Sequence, residues 1–365
     1  MKKEKSKKSK KSVGKILLTI FACIIALMIA GWWALSVMIY DSITNKRFES
    51  YEPYTLRIDD FEGLSRKGYE FTSDKGQKLK GYLYSVGEGQ HGIIVFAHGF
   101  GGGGHNSYMD CVDYFARNGY YVFAYDATAC DESEGEGVGG FPQGSADLDH
   151  AITFVEESGN FPDLPVGLFG HSWGGYSVCS VLTFHPEVKA VIECSGSNSS
   201  SDLFEGGGKH EAGDGIYTMM PFVKLHEWIY YGKYATNTAM DGFAASQAKI
   251  MIVHSADDDV VPIEYGLDLY YQTYKNDPRF TFLRLENSGH SSVYNDKTYS
   301  NEFNAEFDKW RDALDYDIQA SENKERFAKD KADYIHQHLD RARFSHSLDQ
   351  DLFAKFLAFY DANVK

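Results

Sequence analysis

The sequence predicts an α/β protein with an eight-stranded, mostly parallel sheet flanked by helices and preceded by a transmembrane helix. Three observations lead to this prediction. Short apolar runs alternate with stretches of helical spacing from residue 92 to residue 285, a two-stranded hairpin precedes the alternation, and a long uncharged run lies near the N-terminus. Alternating strands and helices are typical of a parallel sheet covered on both faces.

The N-terminal segment has the pattern of a membrane anchor. Residues 1–15 form a basic tail with eight Lys and one Glu, and residues 16–40 contain no charged residue. The uncharged run gives about 37 Å of helix, enough to cross a hydrocarbon core of about 30 Å. A cleavable signal peptide is the alternative, although its apolar stretch is usually about 7–15 residues long. The positive-inside rule predicts a single-pass cell-membrane protein with a cytoplasmic N-terminus and an extracytoplasmic domain.

The charge of the chain is unevenly distributed. The net charge is −16, and because the basic tail contributes +7, the remainder carries −23. An acidic folded part would repel phosphates, so we do not expect nucleic acid as a partner. The content of 43% hydrophobic and 24% charged residues is that of a globular protein rather than a disordered one.

The elements of the main domain, 67–365, follow in order after a juxtamembrane connector at 41–66. A turn signal at 74–77 joins the first two strands into a hairpin. The next run, GIIVFA, is short and apolar, as in a strand buried on both faces. The strand candidates are 67–73, 78–86, 92–97, 120–125, 166–169, 188–194, 249–254 and 280–285. The helix candidates are 108–118, 145–157, 173–184 and 348–363.

Two segments interrupt this alternation. Residues 196–246 are Gly-rich and then aromatic, and we predict that they form a lid over the cleft. Residues 301–345 are strongly charged with helical periodicity, which predicts extra surface helices. The five Cys include no CxxC pair and no His/Cys cluster at metal-ligand spacing, so we predict neither a metal nor a cofactor. An extracytoplasmic location permits a disulfide, but small buried apolar residues are the simpler interpretation.

The strongest chemical signal is the motif GHSWGG at 170–175, between a strand and a helical run. This is the context of a nucleophile elbow, in which a tight turn exposes a strained serine. Glycines on both sides let the chain pass through the turn. The motif predicts Ser172 as the nucleophile, with the helix N-terminus directed at the developing oxyanion.

The second signal is the glycine-rich run HGFGGGG at 98–104, directly after a strand. A backbone that offers N–H groups to an anion needs freedom from side chains, so the run predicts an oxyanion hole. The expected donors are the amides of Phe100 and Trp173, and His98 is expected to orient the loop. A phosphate-binding loop is the alternative, but the Lys-Ser/Thr pair of a P-loop is missing.

Two further loops supply an acid and a base. The run HSADDDVVP at 254–262 ends a predicted strand, and one of its carboxylates can orient an imidazole. Asp258 is the preferred acid and Asp257 the alternative. A calcium loop would need more oxygen ligands at alternating positions than this run provides. The sequence NSGH at 287–290 follows the last strand, which predicts His290 as the general base.

These motifs, in the order Ser, Asp, His, resemble those of the α/β-hydrolase superfamily. Within it, the sequence is similar to the branch of monoglyceride lipases and serine aminopeptidases, over about residues 67–293 and again at the last helix. The resemblance implies the α/β-hydrolase fold. The family loop after the fourth strand usually reads Tyr-Asp-x-Arg-Gly-His-Gly-x-Ser-x-Gly. Here residues 125–135 read YDATACDESEG, which matches the family pattern only at its start and end.

The combined prediction is a membrane-anchored serine hydrolase that cleaves carboxylic esters of small acyl substrates through an acyl-enzyme. The aromatic residues of the predicted lid and the nearness of a lipid surface favour an apolar acyl chain. A serine peptidase and an acyltransferase with the same triad are the enzymatic alternatives. A non-catalytic anchored receptor on the same fold is the alternative from another class. The sequence identifies no protein partner.

Overall fold

A computed structural model describes residues 2–291 and 293–364. Its centre is one eight-stranded sheet with the order β1-β2-β4-β3-β5-β6-β7-β8. The strands are β1 (Ser65–Thr72), β2 (Lys78–Ser85), β3 (Gly92–Ala97), β4 (Tyr120–Tyr125), β5 (Val166–His171), β6 (Ala190–Cys194), β7 (Lys249–Ser255) and β8 (Phe280–Leu285). Strands β3 to β8 pair in parallel, and β2 pairs antiparallel with both β1 and β4. The predicted eight-stranded, mostly parallel sheet is therefore confirmed.

The helices cover both faces of the sheet, as predicted. They are α1 (Lys2–Thr44), α2 (Met109–Arg117), α3 (Gln143–Glu157), α4 (Trp173–Ser180), α5 (Ser200–Ala212), α6 (Met220–Tyr231), α7 (Lys233–Thr236), α8 (Ala239–Ala245), α9 (Leu267–Tyr274), α10 (Thr298–Asp312), α11 (Lys324–His338), α12 (Arg341–Phe344) and α13 (Gln350–Asn363). One large apolar cluster contains buried residues of α3, α4, α8 and α9, and a second contains those of α2 and α13. Strands β3, β5 and β6 are buried along their whole length because both faces are covered.

The two interrupting segments are helical. Four helices, α5 to α8, lie between β6 and β7, in the segment predicted to be a lid. Its role as a lid stays a prediction. Helices α10, α11 and α12 occupy the charged segment predicted to form extra helices.

The apolar helix α1 is long enough and apolar enough over Gly14–Thr44 to cross a membrane, by length and composition. One such helix near the N-terminus fits either an anchor or a signal sequence. The predicted basic tail lies mostly in residues whose side chains are outside the described part of the chain. The last turns of α1 pack into the domain, where Tyr40 is fully buried and its hydroxyl lies 2.5 Å from Glu227 of α6.

The connector and the cysteines also belong to the packed domain. Phe48 forms a β-bridge with Cys130, and Leu56, Phe61 and Leu64 are buried in the core. All five Cys are free, and the four in the folded domain are buried. These cysteines thus behave as small apolar core residues.

Candidate active site

The chain makes a sharp turn between β5 and α4, and Ser172 lies at its apex. Its backbone has φ 58° and ψ −118°, a region that residues other than glycine rarely occupy. A Cβ on Gly170 would overlap the carbonyl of Gly174, and a Cβ on Gly174 would overlap the carbonyl of Ala97. The two glycines of the motif are therefore required by close backbone packing, and the turn presents Ser172 at the carboxyl edge of the sheet.

Ser172, His290 and Asp258 form a hydrogen-bonded chain. The Oγ of Ser172 is 2.8 Å from Nε2 of His290, and Nδ1 of His290 is 2.8 Å from Oδ2 of Asp258. In the neutral imidazole, Nδ1 then donates to the carboxylate and Nε2 accepts from the serine hydroxyl. The structure thus brings together the three residues that the sequence predicted as nucleophile, base and acid, and their geometry permits proton transfer from the hydroxyl to His290.

Of the two candidate acids, Asp258 is the one that contacts His290. Its Oδ1 accepts the amides of Val260 at 3.0 Å and Val261 at 2.8 Å. Burial opposes ionisation of Asp258, yet hydrogen bonds from His254 and His290 hold its pKa well below the usual range. Asp257 instead accepts the amide of Gly289 at 2.9 Å and so fixes the loop that carries His290.

Behind Asp258 lies a second buried imidazole, that of His254, for which the sequence motifs predict no role. Nε2 of His254 is 2.8 Å from the carbonyl of Val261 and 3.3 Å from Oδ2 of Asp258. Further inside, Glu193 of β6 accepts the amide of Gly196, and burial raises its pKa to about 7. Two features of the sequence could have indicated these residues. His254 lies at the end of a predicted strand, and Glu193 is a lone Glu within an apolar strand.

Four buried polar atoms in this region have no hydrogen-bond partner among the described residues. They are Oε2 of Glu193, Oγ of Ser195, Nδ1 of His254 and the hydroxyl of Tyr270. Ser195 also has a positive φ of 52°, directly after β6. Unsatisfied buried polar groups are rare in folded proteins, so this cluster marks a polar interior directly behind the acid.

The predicted oxyanion donors are the amides of Phe100, which lines the same cavity as Ser172, and of Trp173, which directly follows Ser172. Trp173 is the first residue of α4, and its indole Nε1 donates to the carbonyl of Phe141 at 2.7 Å. The amide of Gly99 donates to the hydroxyl of Tyr108 at 3.0 Å, which fixes the loop beside Phe100. Among the described residues, neither the Phe100 amide nor the Trp173 amide donates to a protein acceptor outside helices and strands. Both N–H groups are therefore available to an anion.

Two histidines brace the site without contacting Ser172 through a hydrogen bond. Nδ1 of His98 lies 2.8 Å from the carbonyl of Gly99, and its Nε2 accepts the amide of Ala127 at 3.0 Å. His171 contacts the carbonyl of His290 at 3.1 Å, and burial together with the neighbouring His290 lowers the pKa of His171 to about 3. A neutral His171 adds no positive charge beside the base.

The loop after β4, where the sequence departs from the family pattern, binds the connector. The carboxylate of Asp131 accepts the amide of Gly104 at 2.9 Å and the amide of Ser50 at 2.6 Å. The ring of Phe48 lies 4.7 Å from that of Phe100 in an edge-to-face arrangement. The connector thus supports the glycine-rich loop from outside, a role that its polar composition does not reveal.

The cleft at Ser172 consists of two joined cavities. The first has a volume of about 230 Å³ and is lined by Ser172, His290, Phe100, Tyr108 and other residues of the glycine-rich loop. The second has a volume of about 310 Å³ and shares Gly102, Ser107, Ser291 and Tyr294 with the first. A substrate can therefore extend from the nucleophile into a second compartment.

One group of side chains elsewhere has the spacing of metal ligands. Ligand atoms of Glu156, His185 and Glu187 lie within 4.8 Å of one another. None of the three lines either cavity at Ser172. His185 is already paired with Asp149 at 2.9 Å, so the group serves as an ion-pair cluster in this structure.

Two protein-family models match parts of the chain. The family described as serine aminopeptidase S33 matches residues 88–202, and the prolyl oligopeptidase family matches residues 146–315. The thiohydrolase aneE of Aspergillus aculeatus is 29% identical over 135 residues, which cover 34% of this chain and 39% of that protein. The match thus spans well under half of the curated relative.

Solved structures share the fold at low sequence identity. The esterase Pf2001 of Pyrococcus furiosus superposes with a TM-score of 0.53 at 14% identity, covering 73% of this chain and 95% of the esterase. A second crystal form of that esterase gives a TM-score of 0.50 at 16% identity, covering 67% and 90%. At this identity the likeness establishes the fold alone.

Proposed function

We propose that this chain, a member of the α/β-hydrolase superfamily, is a serine hydrolase. It cleaves carboxylic esters through Ser172. The observation that carries the proposal is the hydrogen-bonded chain from Asp258 through His290 to Ser172, with 2.8 Å at each link. A nucleophile, a base and an orienting acid within hydrogen-bond reach are the signature of covalent acyl transfer.

The reaction proceeds in two steps. His290 takes the hydroxyl proton as Ser172 attacks the ester carbonyl, and the amides of Phe100 and Trp173 bind the oxyanion, a contribution of about 3–4 kcal/mol for a well-placed donor. His290 then gives the proton to the departing alcohol, which leaves an acyl-enzyme. Water attacks the acyl-enzyme with His290 as base and releases the acid. Asp258 keeps Nδ1 of His290 protonated throughout.

We favour a small ester as the substrate. The cavity that contains Ser172 has a volume of about 230 Å³, which suits the acyl group of a small ester, and the joined second cavity of about 310 Å³ can take the rest of the substrate. The esterase and thiohydrolase likenesses agree with this choice without deciding it. A serine peptidase is the second candidate, because both matching family models describe peptidases.

The test of this function compares three variants on p-nitrophenyl esters of increasing acyl length. Ser172→Ala and His290→Ala should each lower kcat by at least roughly 10³-fold. Ser291→Ala is the matched control, because Ser291 lines the same cavity and forms no hydrogen bond with His290 among the described residues. Turnover by the wild type that survives both triad substitutions would overturn the proposal, and cleavage of aminoacyl amides in preference to esters would favour the peptidase.

We further propose that α1 is a retained single-pass anchor, with the basic tail cytoplasmic and the catalytic domain outside. The packing of α1 supports retention over cleavage. The indole Nε1 of Trp32 donates to the carbonyl of Thr218 at 3.1 Å, and the hydroxyl of Tyr40 accepts the amide of Phe141 at 2.9 Å. Removal of α1 as a signal peptide would take away the Trp32 contact with the domain.

An exposed apolar face of α6 also supports this topology. The exposed residues are Leu225, Trp228, Ile229 and Tyr230. Together with Trp33 and Met38 of α1, residues of α6 line one open apolar groove. An apolar face next to the outer end of a membrane helix lies at the depth of the headgroups, where aromatic side chains are favoured.

An impermeant thiol reagent on intact cells tests the topology. In a Cys23→Ala background, Glu88→Cys should be labelled because Glu88 is exposed on the catalytic domain. Ser6→Cys in the tail should be labelled only after the cells are opened. Labelling of both positions in intact cells, or loss of an N-terminal tag from the mature protein, would contradict the retained anchor.

A further inference from the structure

The second cavity of the cleft has an unusual lining. Five aromatic rings contribute to it, from Tyr51, Tyr54, Tyr294, Tyr299 and Phe344. Two carboxylates, Asp110 and Asp296, complete its charged lining, and no Lys or Arg lines it among the described residues. The wall is assembled from the connector, the glycine-rich loop, α2, the loop that follows His290, α10 and the C-terminal helical segment, none of which belongs to the sheet.

Asp110 is the charged group inside this wall. Its side chain is 7% exposed, and Oδ1 accepts the amide of Cys111 at 2.8 Å. Among the described residues, no Lys or Arg forms an ion pair with Asp110, and the groups that favour its charged form include the amide and thiol of Cys111 and the nearby His346. Burial raises the pKa of Asp110 to about 6. A buried carboxylate without a Lys or Arg partner favours a ligand that brings the positive charge.

The aromatic rings suit the same ligand. Tyr51 and Tyr54 lie edge to face with their centroids 5.8 Å apart, and Phe344 lies 5.8 Å from Tyr54. Ring faces attract cations through their quadrupole, and aromatic cages are a known way to bind alkylammonium groups. Two of these rings already contact cations, since Lys331 Nζ is 5.1 Å from the Tyr51 centroid and the Arg343 guanidinium is 4.5 Å from that of Tyr299. Neither Lys331 nor Arg343 lines the cavity.

We infer that this second cavity is a subsite for an alkylammonium group of the substrate, held by the Asp110 carboxylate and the aromatic faces around Tyr54. The inference rests on the proposed ester hydrolysis at Ser172 and adds the charge of the substrate to it. The cavity of about 310 Å³ is large enough for a small cationic headgroup but not for a long chain. The substrate is then an ester whose cationic end lies one compartment away from its scissile bond.

Competitive inhibition by an isosteric pair tests this inference. The full-length protein in detergent hydrolyses p-nitrophenyl acetate as reporter, and the inhibitors are choline and 3,3-dimethylbutan-1-ol, in which carbon replaces the charged nitrogen. We expect choline to bind about tenfold more tightly than its neutral isostere. Asp110→Asn should abolish that difference, measured as the ratio of the two inhibition constants. Asp113→Asn is the matched control, because Asp113 is a buried acid on the same helix that does not line the cavity.

The outcomes separate the two proposals. No reporter hydrolysis by the wild type would mean that the proposed function itself has failed. Normal reporter hydrolysis with equal or weaker inhibition by choline would overturn the ammonium subsite alone, as would an unchanged preference in Asp110→Asn. If Asp110→Asn does not fold, two variants of Tyr54 provide the test. Tyr54→Phe keeps the ring face and should keep the preference for choline, whereas Tyr54→Leu should lose that preference. Equal behaviour of the two Tyr54 variants would also contradict the inference.

Discussion

Replacement of Asp258 by Asn tests the tautomer of His290 with little change in shape. In the structure, Oδ1 of Asp258 accepts two backbone amides, at 3.0 Å and 2.8 Å, while Oδ2 faces Nδ1 of His290 at 2.8 Å. An Asn side chain must keep its oxygen toward the two amides, because an NH₂ group there would oppose two donors. Its NH₂ group therefore points at His290 and donates to Nδ1. The imidazole must then carry its proton on Nε2, where it cannot accept the proton of Ser172.

The expected loss follows from that geometry. An imidazole locked in the wrong tautomer lowers kcat by roughly 10⁴-fold, or about 5.5 kcal/mol of transition-state stabilisation, as found for the corresponding substitution in a serine protease triad. Steady-state hydrolysis of p-nitrophenyl acetate measures it, and thermal melting verifies that the variant is folded. Asp257→Asn is the matched control and should change kcat by less than about tenfold, because Asp257 only fixes the loop of His290. Activity of Asp258→Asn within tenfold of the wild type, or an equal loss in both variants, would refute the assignment.

Three further predictions concern stability. Burial raises the pKa of Glu193 to about 7, above about 4.3 in the unfolded chain, so the folded protein binds more protons between these values and its unfolding free energy falls as pH rises. Between about pH 5 and about pH 8, the melting temperature of Glu193→Gln should therefore decrease less than that of the wild type. Parallel curves of melting temperature against pH would contradict this. Tyr40→Phe removes a buried hydrogen bond to Glu227 and should cost about 1–3 kcal/mol in unfolding free energy, whereas unchanged denaturant midpoints would show that the contact is dispensable. Gly174→Ala should prevent folding or activity, because the added methyl group would overlap backbone atoms. Gly207→Ala has open space within a helix and should be neutral or stabilising by up to about 1 kcal/mol. Melting temperatures and soluble yield distinguish the two variants.

The fold was largely predictable because local signals agreed with one another. The apolar runs that become β3, β5 and β6 are buried on both faces, so their composition reports directly on their position. The strand–turn–helix context around Ser172 predicted the strained turn that the structure has. The order Ser, Asp, His along the chain predicted which loops meet at the carboxyl edge of the sheet.

Other features depend on contacts that no local pattern records. The choice between Asp257 and Asp258 is decided by which carboxylate faces inward from a turn, and three adjacent Asp give no sign of it. The connector has the composition of a linker, yet Ser50 binds Asp131 and Phe48 packs on Phe100. The lining of the second cavity combines residues more than 200 positions apart in the sequence, which only the folded chain brings together.

The polar cluster behind Asp258 could also not be predicted from the local sequence. In the sequence, Glu193 only interrupts an apolar strand, and His254 is one of 13 His. Only the structure places His254 at 3.3 Å from Asp258 and leaves polar atoms of both Glu193 and His254 without a partner among the described residues. Conflicts of this kind between local sequence and burial are expected near functional sites.

Labelling of the full-length protein with a fluorophosphonate shows directly whether Ser172 is an activated nucleophile. We expect one covalent adduct, located on Ser172 by peptide mass spectrometry. The adduct should be absent from Ser172→Ala, strongly slowed in His290→Ala and unchanged in Ser291→Ala. An adduct on another residue, or labelling of Ser172 at the same rate without His290, would contradict the proposal that Ser172 is a nucleophile activated by His290.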